Sequence, residues 1–277
     1  MEPAGIRAGL AFYGQGAGEP LLLMPYPHGF MLSPMITGEL ARILIASGRQ
    51  VLSFDPPGSF ASTRPATCDL DEMLDCGRET LAFFGIELPV DLVGHSMGSL
   101  CSIGYTLERP DDVRRLVLIG TMSGWPAVWR HGRHRTYSPF SVRFWRLAYL
   151  GTRVQRGWGS LKTFKQLYNL MESDTFYDPG RAPVLAVEPG DEHRPIPIRM
   201  GWTRNQSKVD FRNRLGEINQ STLVCAGKHD IETAPVMNEE VAAGIPNARL
   251  VMFEKSGHAP FIEEPQRFAA VVGEFLN

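Results

Sequence analysis

The sequence lacks the features that mark several specialised classes of protein. None of its apolar runs approaches the roughly 20 residues that a membrane-spanning helix needs. It also contains no internal repeat and no low-complexity tract. The first residues, MEPAGIRAGLAFYG, do not combine a basic start with an apolar run, so no signal peptide is expected. These absences predict a cytoplasmic protein that is not anchored in a membrane.

Cysteine is scarce and charge is balanced. Cys68, Cys76, Cys101 and Cys225 form no C-x-x-C pair, so reduced or buried thiols are expected. The 28 Lys and Arg residues nearly match the 30 Asp and Glu residues, which argues against nucleic-acid binding. The histidines and cysteines show no zinc-like spacing, so neither a metal nor an organic cofactor is expected. With 277 residues, 43% of them hydrophobic, the chain can form one large α/β domain or a core with an insertion.

Short apolar runs alternate with helical stretches along most of the chain. Strands are predicted at 21–24, 51–54, 90–93, 117–119, 222–226 and 248–253. Helices are predicted at 33–47, 69–84, 97–109, 235–243 and 265–276. This alternation predicts an α/β fold with a mostly parallel sheet and helices on both faces. Ligands of such sheets bind beyond the carboxyl ends of the strands, so the chemistry is expected directly after them.

One segment breaks the alternation. From about 121 to 201 the strands stop, while Trp, Phe, Tyr, Arg and Pro accumulate. This composition predicts a mostly helical cap, residues 121–201, inserted into a core made of residues 1–120 and 202–277. From Val113 to Met171 there are eleven Arg and Lys residues and no Asp or Glu.

The stretch DLVGHSMGSL contains the candidate nucleophile, Ser96. A G-x-S-x-G pattern alone is a weak signal, but here it lies between a predicted strand and a predicted helix, as a nucleophile turn requires. Gly94 and Gly98 have no side chains that would clash in so tight a turn. The turn also places the hydroxyl at a helix N-terminus, which favours developing negative charge. The alternative is a small polar residue in a glycine-rich helix start.

A nucleophilic serine needs a base, and the base needs an acid that orients it. His258 lies five residues after the last predicted strand, and Asp230 lies four residues after the preceding one. The segment after 117–119, GTMSGW, contains no carboxylate, which also favours Asp230. His95 adjoins Ser96 and is expected to support the packing. The order Ser96, Asp230, His258 is the order of an α/β-hydrolase triad.

Over nearly its whole length the chain resembles α/β-hydrolase-fold enzymes, especially the capped group of proline-iminopeptidase-like and carbon–carbon bond hydrolases. The similar stretches are GHSMGS, FDPPGSFASTRP, DFRNRLGEINQSTLVCAGKHD and SGHAPFIEEPQRF. The sequence departs from the family pattern at Phe60, where glycine is common, and at Ser221, where proline is usual. The resemblance is specific for the superfamily and not for a substrate.

The resemblance implies an oxyanion hole of two backbone N–H groups. Met97, directly after the nucleophile, supplies the first. The second comes from an H-G-x-P segment in the family, but here the strand continues into LLLMPYPHGF. The distance from the strand favours Tyr26 as the second donor. Alignment of His28 and Gly29 with the His-Gly of the family pattern makes Phe30 the second donor instead. Pro25 and Pro27 have no N–H to donate.

These residues predict a hydrolase that cleaves an ester, amide, thioester or activated C–C bond of a small molecule through an acyl-enzyme. The alternatives are an acyltransferase with the same triad and a ligand-binding protein that keeps the fold without catalysis. For a proline-iminopeptidase-like activity, a carboxylate is expected near the substrate's amino group.

Two interpretations of the cap stay open. Its aromatic residues either pack on the core, with the arginines solvated or paired, or line a pocket for a bulky apolar or anionic substrate. The candidates for the pocket are Trp125, Trp129, Phe144 and Trp145. The acids available for pairing are Glu172, Asp174, Asp178, Glu188, Asp191 and Glu192. Docking of an acidic carrier protein is a variant. Membrane contact is not expected, because the basic residues form no sustained helical face.

Overall fold

In the computed structural model, which describes residues 1–27, 34–132, 137–196 and 205–277, an eight-stranded β-sheet forms the centre of the protein. The strands are β1 (Gly5–Arg7), β2 (Leu10–Gln15), β3 (Pro20–Met24), β4 (Gln50–Phe54), β5 (Val90–His95), β6 (Val113–Ile119), β7 (Ser221–Gly227) and β8 (Ala248–Phe253). They lie in the order β1-β2-β4-β3-β5-β6-β7-β8. Only the β1–β2 and β2–β4 pairs among them are antiparallel. The predicted α/β class with a mostly parallel sheet is confirmed.

Helices cover both faces of the sheet. They are α1 (Glu39–Ala46), α2 (Leu70–Phe83), α3 (Met97–Glu108), α4 (Trp125–His131), α5 (Val142–Gln155), α6 (Leu161–Thr175), α7 (Pro235–Gly244), α8 (Pro260–Glu263) and α9 (Pro265–Leu276). The buried side chains of α2, α3 and α7 form one core cluster, and those of α1 and α9 belong to the second. Each cluster also takes alternate residues of the strands, because successive strand side chains point to opposite faces. The strands are therefore apolar on both sides.

The first two strands were missed by the sequence analysis. β1 is short and largely exposed, and β2 contains Gly14, which weakens the pattern of a strand. β2 pairs with β4 along four residue pairs, from Phe12–Phe54 to Gln15–Val51. These contacts are between segments about 40 residues apart, so local periodicity does not reveal them.

The described elements between β6 and β7 are α4, α5, α6 and short 3₁₀ turns, with one isolated bridge pairing Gly124 and Asp210. Serine side chains begin two of the helices. The Ser141 hydroxyl accepts from the Phe144 N–H at 3.1 Å, and Ser160 forms a capping box with Thr163 at the start of α6. The predicted end of the cap, residue 201, lies outside the described residues.

Candidate active site

Ser96 occupies a strained turn between β5 and α3. Its backbone angles are φ 52° and ψ −121°, and a positive φ is rare for a residue with a side chain. A Cβ atom on Gly94 would lie 2.5 Å from the Gly98 carbonyl oxygen, and one on Gly98 would lie 2.5 Å from the Met24 carbonyl oxygen. The two glycines of the motif are therefore required by the close approach of backbone segments at this turn.

Asp230 and His258 form a hydrogen-bonded pair at the same end of the sheet. Asp230 follows β7, His258 follows β8, and His258 Nδ1 lies 2.8 Å from Asp230 Oδ2. A carboxylate can only accept, so Nδ1 donates the hydrogen of this bond. Asp230 is buried and also accepts from the N–H groups of Glu232 and Thr233 and from the Thr233 hydroxyl. The acceptor oxygens that orient the imidazole are thus held by three further donors.

The histidine loop lies directly against the Ser96 turn. The Ser96 N–H donates to the Ile119 carbonyl at 2.9 Å. The next residue, Gly120, is so close to His258 that a Cβ on it would lie 3.1 Å from the imidazole ring. The rings of His95 and His258 have their centroids 4.6 Å apart. The fold therefore brings Ser96, Asp230 and His258 together where the carboxyl ends of β5, β7 and β8 meet.

His95 connects two loops of the site. Its Nε2 lies 2.8 Å from the His258 carbonyl oxygen, and its Nδ1 is hydrogen-bonded to the Tyr26 hydroxyl. Because a carbonyl only accepts, Nε2 is the donor and Nδ1 accepts from the phenol. Burial, together with the neighbouring His258, lowers the pKa of His95 to about 3, so the ring is neutral. The sequence suggested only a packing role for His95; its function as a link depends on contacts that no local pattern encodes.

Two backbone N–H groups predicted to stabilise an oxyanion lie at this turn. Met97 is the first residue of α3, where N–H groups have no partner inside the helix. Tyr26 follows β3, and the approach of Gly98 to the Met24 carbonyl shows that the segment after β3 lies against the first turn of α3. Among the described residues, the Tyr26 N–H has no hydrogen-bond acceptor. The alternative donor, Phe30, lies outside the described residues.

The end of α6 contacts the site. The His258 N–H donates to the Thr175 carbonyl at 2.7 Å. Burial, with smaller contributions from Tyr168 and Glu172, raises the pKa of the Tyr26 phenol well above its usual value. The Thr175 hydroxyl also donates to Glu172 Oε2 at 3.3 Å. The end of α6 therefore brings the Glu172 carboxylate close to the histidine loop.

The predicted cap residues differ in exposure. Trp125 and Phe144 are half-buried, whereas Trp129 and Trp145 are exposed. The Phe144 and Trp145 rings meet edge to face, with centroids 5.3 Å apart. Trp145 also donates through its indole N–H to the Pro139 carbonyl.

Some of the basic residues of the cap are paired with acids. Arg143 contacts Asp174 through two hydrogen bonds, and Lys165 lies 2.9 Å from Asp191. These pairs agree with the interpretation in which acids after residue 171 neutralise part of the basic stretch.

The described residues contain neither a group of side chains for a metal ion nor a helix that could cross a membrane. In residues 1–27, 34–132, 137–196 and 205–277, no three His, Cys, Asp or Glu side chains are grouped so that they could hold a metal ion. Over the same residues, no helix has the length and apolar character needed to cross a membrane.

Comparison with known proteins identifies the family. A strained serine turn after a central parallel strand, with an Asp–His pair after two later strands, is the arrangement of an α/β hydrolase. Residues 26–265 match the model of the alpha/beta hydrolase fold family. The chain belongs to this family and is an α/β hydrolase, which confirms the resemblance predicted from its sequence.

The curated relatives catalyse different hydrolyses. A proline iminopeptidase of Clostridioides difficile is 28% identical, over 94% of this chain and 90% of its own. A 2-hydroxymuconate semialdehyde hydrolase of a Pseudomonas species is 28% identical over 99% and 91%. A pimeloyl-[acyl-carrier protein] methyl ester esterase of Nitrosomonas europaea is 26% identical over 78% and 81%. Among solved structures, an alpha/beta fold family hydrolase from Bacillus anthracis covers 96% of this chain and 94% of its own, with a TM-score of 0.77 and 18% identity.

Proposed function

We propose that the protein is a serine hydrolase in which Ser96, His258 and Asp230 act as a catalytic triad. The observation that carries the proposal is the 2.8 Å pair of His258 Nδ1 and Asp230 Oδ2 beside the strained turn at Ser96. In the neutral tautomer with its hydrogen on Nδ1, Nε2 is the ring nitrogen that accepts the proton of the Ser96 hydroxyl. The same geometry would be needless in a protein that only binds a ligand.

The reaction runs in two halves. Ser96 Oγ bonds to the substrate carbonyl carbon while its proton moves to His258 Nε2, and the Met97 and Tyr26 N–H groups stabilise the oxyanion. His258 then gives the proton to the leaving group, whose bond to carbon breaks and leaves an acyl-enzyme. Water repeats the sequence, giving its proton to Nε2 and releasing the acid. The substrate is a small molecule with an ester, amide, thioester or activated C–C bond.

We further propose that residues 121–201 form the cap over this site. The contacts of Thr175 with His258 and the electrostatic effect of Glu172 on Tyr26 support this role, because they join the end of α6 to the triad. A bulky apolar or anionic substrate would lie between these segments. An acidic carrier protein as the bearer of the substrate is suggested by the relative named a pimeloyl-[acyl-carrier protein] methyl ester esterase.

The proposal is tested by labelling with an active-site phosphonate. We expect the wild-type protein to gain one phosphonyl group at Ser96, detected by mass spectrometry of its peptides. Ser96→Ala is expected to gain none. Ser102→Ala is the matched control, because Ser102 is a buried serine of the same helix, α3, whose hydroxyl donates to the Gly98 carbonyl oxygen; this variant should react like the wild type.

Failure to label the wild type, or equal labelling of Ser96→Ala, would reject the hydrolase proposal in favour of ligand binding. Acyl transfer is distinguished by adding an alcohol during turnover of an ester. If the acid remains the main product at high alcohol concentration, water is the natural acceptor.

An aminopeptidase activity is a second candidate, favoured by the position of Glu172. The Thr175 hydroxyl donates to Glu172 Oε2 at 3.3 Å, and the Thr175 carbonyl accepts from the His258 N–H; beside the histidine loop, the Glu172 carboxylate can hold the ammonium group of an N-terminal residue. We expect Glu172→Gln to lower kcat/KM for aminoacyl anilides by about 10–100-fold, the effect of losing one hydrogen bond to a charged group. Hydrolysis of p-nitrophenyl acetate, which has no ammonium group, should change little.

Glu188→Gln is the matched control for this experiment, because Glu188 is an exposed carboxylate of the same segment. Loss of anilide hydrolysis in both variants would show a general charge effect. An equal loss with anilide and acetate in Glu172→Gln would show a structural one. Either result would contradict the proposal that Glu172 binds the ammonium group of the substrate.

A further inference from the structure

The outer side of α5 presents an apolar and basic surface, the α5 outer face. It consists of Phe140, Val142, Trp145, Arg146, Tyr149, Arg153, Arg156 and Trp158. Residues 142, 145, 146, 149 and 153 share one side of the helix, since they recur at spacings of three and four. An adjoining side of the helix is buried through Leu150 and Val154. The face therefore belongs to a helix that is anchored on one side and open on the other.

Large apolar groups are unusually open on this face. Phe140 is 96% exposed, Val142 86%, and three aromatic rings (Trp145, Tyr149 and Trp158) are each more than 60% exposed. Single exposed apolar residues are ordinary on a protein surface, but a contiguous group marks an interaction site. Binding of a partner that buries these side chains would be favoured by the hydrophobic effect, because apolar surface is removed from water.

The charges on the face have one sign. The Arg153 guanidinium lies over the Tyr149 ring, 5.6 Å from its centroid, and that of Arg156 lies 4.9 Å from the centroid of Trp158. One carboxylate, Glu192, borders the face in a cavity of about 380 Å³ that it shares with Tyr149 and Arg153. The partner is therefore negatively charged, and it also accepts aromatic side chains.

We propose that the α5 outer face docks on an anionic phospholipid surface. Aromatic side chains enter the headgroup boundary, while arginines on the same side pair with lipid phosphates. A second copy of the chain fits poorly, because a two-fold contact would bring the arginines of both copies together. An acidic protein would match the charge, but the exposed apolar groups favour a surface that also has an apolar layer. The basic residues alone form no sustained helical face, so the sequence did not predict membrane contact. In the structure, the winding of α5 places Arg146 and Arg153 on the same side as the exposed aromatic residues.

The test is flotation of the full chain with lipid vesicles. We expect binding to vesicles of 70% phosphatidylcholine and 30% phosphatidylglycerol that weakens with added salt, and far weaker binding to pure phosphatidylcholine. The double variant Arg146→Gln/Arg156→Gln should lower the partition coefficient by about 30-fold, because each arginine near the surface contributes a factor of roughly five and the two factors multiply. Phe140→Ser/Val142→Ser should lower it as well, because both side chains are proposed to be buried in the bilayer.

A control double variant removes equivalent groups elsewhere. Ile6→Ser/Arg7→Gln takes one apolar group and one charge from the exposed strand β1 and should bind like the wild type. Thermal unfolding followed by circular dichroism confirms that all variants are folded.

Three results would overturn the proposal. The first is equal binding of the wild type to both vesicle types, and the second is an equal loss in the control variant. The third is binding of a purified acidic acyl carrier protein, abolished by Arg146→Gln/Arg156→Gln, without any binding to vesicles. That outcome would assign the face to a protein partner.

Discussion

Replacing Ser96 with alanine is expected to lower kcat for p-nitrophenyl ester hydrolysis by about 10⁶-fold, because the covalent route is then lost altogether. KM should change much less, since the hydroxyl is small and the rest of the pocket is intact. Some catalysis above that of water should remain, because the proposed oxyanion donors, the Met97 and Tyr26 N–H groups, are left in place. Steady-state kinetics on purified variants, with active-site concentration determined by titration of the wild type, measures the effect.

Ser102→Ala is again the control, with kcat expected to stay close to that of the wild type. A Ser96→Ala protein that keeps a tenth of the wild-type kcat would rule out Ser96 as the nucleophile. In that case another residue would be the nucleophile, and the strained turn at Ser96 would need another explanation.

Replacing Asp91 with asparagine is expected to lower the free energy of unfolding by about 3–5 kcal/mol, because it leaves a buried cation without its partner. Asp91 is the second residue of β5 and is fully buried. Its carboxylate contacts the guanidinium of Arg49, which is itself buried, and is 2.9 Å from Arg114 Nε. Arg115 lies at 3.9 Å. Asparagine keeps the shape but not the charge.

Urea denaturation checks this prediction, and thermal unfolding should show a midpoint lower by about 6–20 °C. The control is Glu254→Gln, which breaks the exposed pair of Glu254 with Lys228 and should cost less than about 1 kcal/mol. If both variants unfold at the same urea concentration, the buried cluster does not contribute to stability as its burial implies.

The predicted strands and helices of the core were close to those observed. The predicted strand at 248–253 and helix at 265–276 agree with the bounds of β8 and α9. They were predictable because each segment buries apolar residues at its own period. β1 and β2 were not, because β2 pairs with the distant segment β4 and β1, the edge strand, pairs only with β2 among the described strands.

The candidate site was predictable in part. Ser96, Asp230 and His258 each follow a predicted strand, and parallel strands bring their carboxyl ends to one edge of the sheet. The role of Thr233, which donates to Asp230, was missed, although its position three residues later is typical of a local side-chain turn. The link through His95 had no signal in the sequence beyond its place beside Ser96.

The sequence by itself determined the alternation of strands and helices and the residue types that follow the strands, because both depend on local periodicity and on the chemistry of single side chains. Only the tertiary structure decided that His95 joins Tyr26 to His258, that the end of α6 contacts His258 through Thr175, and that one side of α5 stays exposed. Each of these depends on how segments distant in the chain pack against one another. A local sequence pattern shows which residues are apolar or polar, but it does not specify which distant residues they contact.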